Sequence, residues 1–185
     1  MIGRTTLALV FLINTLFGLY TAAVMLRFLL QRARADFYNP LSQAIVKITN
    51  PLLLPLRRLI PGWHGLDFAA LVLTSLLQLG NVLLVVWITA LPSGPVAIAY
   101  WTLLKLAFVL VNLYFFTILV EAILSWTGSG RHHPMAGVLW SVNAPLLKPA
   151  RRLIPPLGGL DFSPLAVMLL LQVINILLPL QWPLV

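Results

Sequence analysis

"PLRRLIPGWHGLDF", residues 55–68, returns near the end of the chain as "PARRLIPPLGGLDF", residues 149–162. Each copy runs into a long apolar stretch, and a shift of 94 positions, carrying Arg57 onto Arg151, aligns the two halves without a gap. From Pro51 to Phe68, 13 of 18 residues equal their partners, a density that chance does not produce. The register extends further: Tyr20 falls on Tyr114, Pro40 on Pro134, Gln78 on Gln172 and Asn81 on Asn175. The chain is therefore one unit used twice, over residues 1–94 and 95–185.

Of the 185 residues, 61% are hydrophobic and 9% charged, where a soluble domain carries about 25% charged residues. Apolar runs cover residues 5–30, 68–91, 97–126 and 162–182, each long enough to cross a hydrocarbon core that needs about 20 helical residues. The expected fold class is all-α and integral to the membrane: four transmembrane helices in two parallel two-helix repeats, each with a cytoplasmic amphipathic segment. The repeats are parallel because each contains an even number of crossings. Arg4 and the small residues at 21–23 imitate a cleavable signal. The apolar run of residues 5–30 exceeds a signal core of about 7 to 15 residues, so it is expected to remain a membrane helix. With no cysteine, disulfides, thiol catalysis and cysteine-ligated metal are excluded.

The net charge of +8 raises the question of nucleic acid, but its placement points to a membrane. Ten of the twelve Lys and Arg residues lie at the end of run one or between runs one and two (Arg27, Arg32, Arg34, Lys47, Arg57, Arg58), or between three and four (Arg131, Lys148, Arg151, Arg152). The positive-inside tendency puts both segments in the cytoplasm and, with four crossings, both termini outside.

Within each cytoplasmic segment, Asn39-Pro40 and His133-Pro134 read as helix starts, a polar cap before a proline. Leu41, Ile45 and Ile48 recur at helical spacing, as do Met135, Leu139 and Val142. Pro51 and Pro55, like Pro145 and Pro149, are expected to introduce a second short helix carrying the arginine pair, which Pro61 and Pro155 end. Such a helix lies in the headgroup region with its arginines toward phosphate. Asp67 and Asp161 precede the next apolar runs, where a carboxylate caps free N–H groups and meets the positive end of the helix dipole. Gly65 and the pair Gly158-Gly159 permit a tight turn before them. Each copy thus folds the chain along the membrane and turns it, through an arginine-to-aspartate clamp, into the next crossing.

"NPLLLPLRRLIPGWHGLDF" and "APLLKPARRLIPPLGGLDFSP" resemble the signature of the YggT family, small bacterial integral membrane proteins, with plastid relatives, that often carry two copies of this module. The resemblance spans nearly the whole chain. It departs in the first copy, where Ala69-Ala70 stand in place of Ser163-Pro164. The resemblance implies a bacterial inner-membrane protein, linked in some bacteria to osmotic-shock tolerance or ion homeostasis and in others to the division apparatus. Plastid relatives are connected with nucleoid distribution and cytochrome assembly. It carries over no catalytic residue.

The arginines Arg57, Arg58, Arg151 and Arg152 are candidates for binding lipid headgroups or an acidic or phosphate-bearing partner, with Asp67 and Asp161 as clamps and caps. Gln78 and Asn81 share a helix face near mid-bilayer, and Gln172 and Asn175 repeat them; they pack the repeats together or line a polar path. Arg27 and Glu121 hold equivalent positions and are expected to form an ion pair between the repeats. Lys105 is expected to snorkel to the outer surface. His132 and His133 diverge on a helix and have no third ligand, so no metal or cofactor is expected. No triad, paired-carboxylate arrangement or nucleotide-binding motif occurs. The reading that follows is a non-enzymatic inner-membrane protein acting through lipid or protein contacts, in osmotic-stress tolerance or envelope and division organisation. Membrane lipids, a second copy or another membrane protein are its partners. A small oligomeric channel or transporter is the alternative, and an assembly factor for membrane cytochromes a third reading.

Overall fold

Six helices run in chain order in the computed structural model: α1 (Arg4–Arg32), α2 (Pro40–Leu59), α3 (Phe68–Thr89), α4 (Pro95–Trp126), α5 (Pro134–Leu153) and α6 (Ser163–Leu177). It describes residues 3–63, 65–126, 134–154, 161–180 and 184. Helices α1, α3 and α4 are long and apolar enough to cross a membrane. At 1.5 Å per residue, the 32 residues of α4 span about 48 Å, well beyond a hydrocarbon core of about 30 Å.

The fourth apolar run forms a shorter helix than its sequence suggests. α6 has 15 residues and stops at Leu177 because Pro179 follows. The residue before a proline is driven out of the α region, and Leu178 adopts φ −68° and ψ 123°.

The surface segments also differ from expectation. α2 is one continuous helix containing Pro51 and Pro55, and α5 is one containing Pro145 and Pro149. Each proline removes one i to i−4 bond, but a spacing of four places the losses on one stripe. In α2 the residues of that stripe, Lys47, Pro51 and Pro55, are all exposed, so the freed carbonyls face solvent or headgroups and the helix continues. α2 starts where Asn39 Oδ1 accepts from the Leu41 N–H at 3.0 Å, and it ends at Ile60, before Pro61. The cap expected from His133 and the stop expected from Pro155 lie outside the described residues. Ile48 is exposed, and the buried stripe of α2 is instead Ser42, Thr49 and Leu53.

α3 packs against α1 and α4, and α6 against α4 and α5, while α2 and α5 touch each other and α1. The seam between the repeats is apolar: Leu26 and Leu30 of α1 meet Val138 and Val142 of α5, with Leu41 and Ile45 of α2 alongside. At the opposite end of the bundle, Val10, Val82, Val85 and Leu184 form one buried cluster, flanked by Ile98 and Leu180. The start of α1, the end of α3, the start of α4 and the chain after α6 therefore gather at one end. Outward faces carry large apolar residues, among them Leu12, Leu16, Leu83, Leu103, Phe116 and Leu169, as a surface facing acyl chains requires.

Candidate functional site: the two junctions and the buried polar core

Each surface helix returns to the bundle through an arginine and an aspartate. In the first repeat, Arg57 donates from Nε and Nη2 to Asp67 Oδ2 at 3.1 and 2.5 Å, and from Nη2 to Gln31 Oε1 at 3.1 Å. Asp67, only 4% exposed, caps α3 by accepting from the Ala70 N–H at 3.2 Å. One carboxylate thus closes the helix start and holds the incoming arginine. Gly65, at φ 77°, makes the turn between them, closed by reciprocal bonds between Trp63 and Leu66.

The second repeat repeats the clamp with a change. Arg151 Nε donates to Asp161 Oδ2 at 2.8 Å and Nη2 to Glu121 Oε1 at 3.2 Å. Asp161 Oδ1 accepts from the Ser163 N–H at 2.9 Å. Its carboxyl is held below the usual range: burial opposes its charge, but the Arg151 guanidinium and the bonds from Ser163 outweigh that. α6 starts one residue later than its counterpart, with Pro164 at its second position. Arg58 and Arg152 are exposed.

Arg27 and Glu121 do not meet, which corrects the expected ion pair between repeats. Arg27 Nη1 donates to Thr49 Oγ1 and Asn50 Oδ1, both at 2.7 Å, and to the Val46 carbonyl at 3.3 Å. Glu121 takes Arg151 on one oxygen and, on the other, the Asn143 Nδ2–H at 2.8 Å. The reason is local supply. Each charge stands opposite the surface helix of its own repeat, which offers polar partners closer than the other repeat does. Asn143 is fully buried and its Oδ1 accepts from Thr117 at 2.7 Å.

Lys105 does not snorkel. It is 5% exposed, and its Nζ donates to Asn14 Oδ1 at 2.8 Å and to Asn81 Oδ1. Two amide oxygens brought by α1 and α3 solvate the ammonium inside the bundle, so the side chain has no need to extend past the apolar run. Asn81 also donates to the Ile13 carbonyl at 3.4 Å. Gln78, fully buried, donates to Thr21 Oγ1 at 2.9 Å. In the second repeat, Asn175 donates to Asn112 Oδ1 at 3.3 Å, and Gln172 is half-buried. The first pair of amides therefore ties α3 to α1 and α4, and Asn175 ties α6 to α4.

Sequence reasoning missed Asn14, Gln31, Thr49, Asn50, Thr117 and Asn143. One signal was present. Under the 94-residue shift Lys105 falls on Phe11 and Asn14 on Phe108, so each is a polar residue in an apolar run whose twin is phenylalanine. His64, His132 and His133 lie outside the described residues. Among the described residues no group of three or more His, Cys, Asp or Glu could hold a metal ion.

A twice-used module of apolar helices joined to a basic surface helix by an arginine–aspartate junction defines the class, and comparison with known proteins places it. The family model described as CCB3/YggT matches twice, over residues 6–88 and 100–182. The chain belongs to this family. It is 43% identical over 179 residues, 96% of this chain and 90% of the relative, to an uncharacterised protein of Pseudomonas aeruginosa. It is 44% identical to the YggT protein of Escherichia coli K12, over 90% of this chain and 87% of that one. A Vibrio alginolyticus protein encoded in the proC 3′ region is 42% identical over 91% of each. No solved structure matches the chain.

Proposed function

We propose that the protein is a non-enzymatic, four-crossing component of the bacterial inner membrane that acts through lipid or protein contacts, in osmotic-stress tolerance or in envelope and division organisation. Its charged segments face the cytoplasm and both termini lie outside. α6 makes the fourth crossing together with residues 178–180, which follow it.

The observation that carries this reading is the closure of Lys105 on Asn14 and Asn81. A cation path along the amide face of α3 would run past a buried ammonium, an electrostatic barrier of the kind that keeps cations out of pores. The polar interior serves instead to bond helices together, as such groups do where the only alternative is hydrocarbon. The exposed cations Arg58, Arg152, Lys47 and Lys148 remain for headgroups or an acidic partner.

The test is ion flux through the purified protein in liposomes under an osmotic gradient. Tight, silent vesicles are expected. Protein-dependent flux that disappears when Gln78, Asn81, Gln172 and Asn175 are all replaced by leucine overturns the reading in favour of a small oligomeric channel.

A further inference from the structure

A cavity of about 570 Å³ opens beside the second junction, lined by Glu121, Trp126, Gly137, Trp140, Arg151 and Asp161. That volume lies within the range of small-molecule sites, roughly 300 to 1,000 Å³. Its walls carry both signs of charge and two indoles. Arg151 and the carboxylates of Glu121 and Asp161 leave one net negative charge. The Arg151 side chain is 32% exposed and uses Nε and Nη2 for the clamp, so Nη1 has no partner among the described residues. Lys148 Nζ stands 5.6 Å from the Trp140 ring centroid but lines a separate cavity with Tyr114 and Ser141, so it does not enter this charge balance.

Position narrows the ligand. Glu121 lies five residues before the end of α4, a helix of 32 residues that outlasts the hydrocarbon core by about 18 Å. The cavity therefore sits at headgroup level. A purely anionic headgroup would meet two carboxylates there, and a simple cation would leave Arg151 Nη1 unused. A ligand bearing a phosphate and a protonated amine answers both. The unpartnered Nη1 of Arg151 can give a phosphate oxygen a charge-assisted hydrogen bond, and an ammonium is attracted both by carboxylates and by indole faces.

We propose that this cavity binds the zwitterionic headgroup of an aminophospholipid, with the phosphate at Arg151 and the amine at Glu121 and Asp161 between Trp126 and Trp140. The proposal rests on the lipid-contact reading above and names its ligand. It confines the site to the second repeat: at the equivalent place the first carries Arg27, so its junction of Arg27, Arg57 and Asp67 has one net positive charge.

Native mass spectrometry of the full chain in detergent, with phosphatidylethanolamine or phosphatidylglycerol added at equal concentration, tests it. The wild type should retain the aminophospholipid about fivefold better, and Glu121→Gln and Trp140→Leu should each abolish that preference. Trp140 is half exposed, so its replacement keeps the test valid if Glu121→Gln fails to fold. Soluble phosphoethanolamine that displaces the lipid shows that a free zwitterion also satisfies the site. Failure to displace it identifies the membrane as the source. Equal retention of both lipids by the wild type, or a preference that survives both substitutions in folded protein, overturns the proposal. Either result leaves the silent-liposome outcome standing on its own.

Discussion

Arg27 and Glu121, equivalent under the 94-residue shift, address their surface helices with opposite polarity. Arg27 donates to Thr49 at 2.7 Å, whereas Glu121 accepts from Asn143, the residue equivalent to Thr49, at 2.8 Å. One backbone arrangement thus supports two reversed hydrogen-bond networks, and each charge is satisfied within its own repeat. Exchanging them, Arg27→Glu with Glu121→Arg, should not restore stability. The double variant should lose the sum of the single losses to within about 0.5 kcal/mol, as independent sites do. Recovery in a double-mutant cycle, read from reversible unfolding in detergent, would revive a direct pair.

The two arginines of the first copy should separate cleanly. Arg57→Ala leaves the Asp67 carboxylate, 4% exposed, without its cation, a type of loss that costs about 3 to 5 kcal/mol in buried pairs. Partial exposure of Arg57 places this case at the lower end. Arg58→Ala, at an exposed position, should stay within about 0.5 kcal/mol of the wild type. Thermal melts of the two purified variants decide it, and equal losses would mean that the clamp is not the stabilising contact.

Lys105→Met should destabilise by about 1 to 3 kcal/mol because the Asn14 and Asn81 oxygens lose their donor. Combining it with Asn14→Leu and Asn81→Leu should recover most of that loss, since an apolar replacement of a whole buried polar group is often neutral or better. A triple variant less stable than Lys105→Met alone would contradict this account.

Acid should loosen the second junction. The Asp161 carboxyl is held below its ordinary value of 3.8, so its contribution to stability is full above that value and is lost as pH falls through the lower, folded one. The melting temperature of the wild type should exceed that of Asp161→Asn near neutral pH, and the gap should close below about pH 4. A gap independent of pH would show that the carboxylate charge does not contribute.

Much of this architecture was legible because the duplication doubled every signal. The Asn39-Pro40 start of α2, the stop at Pro61 and the approach of Arg57 to Asp67 all follow from residue chemistry over short spans. What escaped was the geometry between helices. Whether Pro51 and Pro55 break a helix depends on which side the freed carbonyls face, and that side is set by packing. The partners of Arg27 and Lys105 come from 19 to 91 residues away, beyond any local periodicity. α6 was overestimated because hydropathy counts Pro179 and its neighbours as apolar without registering the helix stop.

The apolar seam formed by α1, α2 and α5 bears on why the two modules share one polypeptide. Separate copies of a single module, meeting as identical subunits, would carry the same residue at both equivalent positions. Arginine at one and glutamate at the other could not coexist, nor could Lys105 opposite Phe11. Covalent fusion frees each position from its twin, so one half can keep a net positive junction while the other develops a net negative one. The near-symmetric bundle is thereby given two chemically different corners, and a direction in the plane of the membrane.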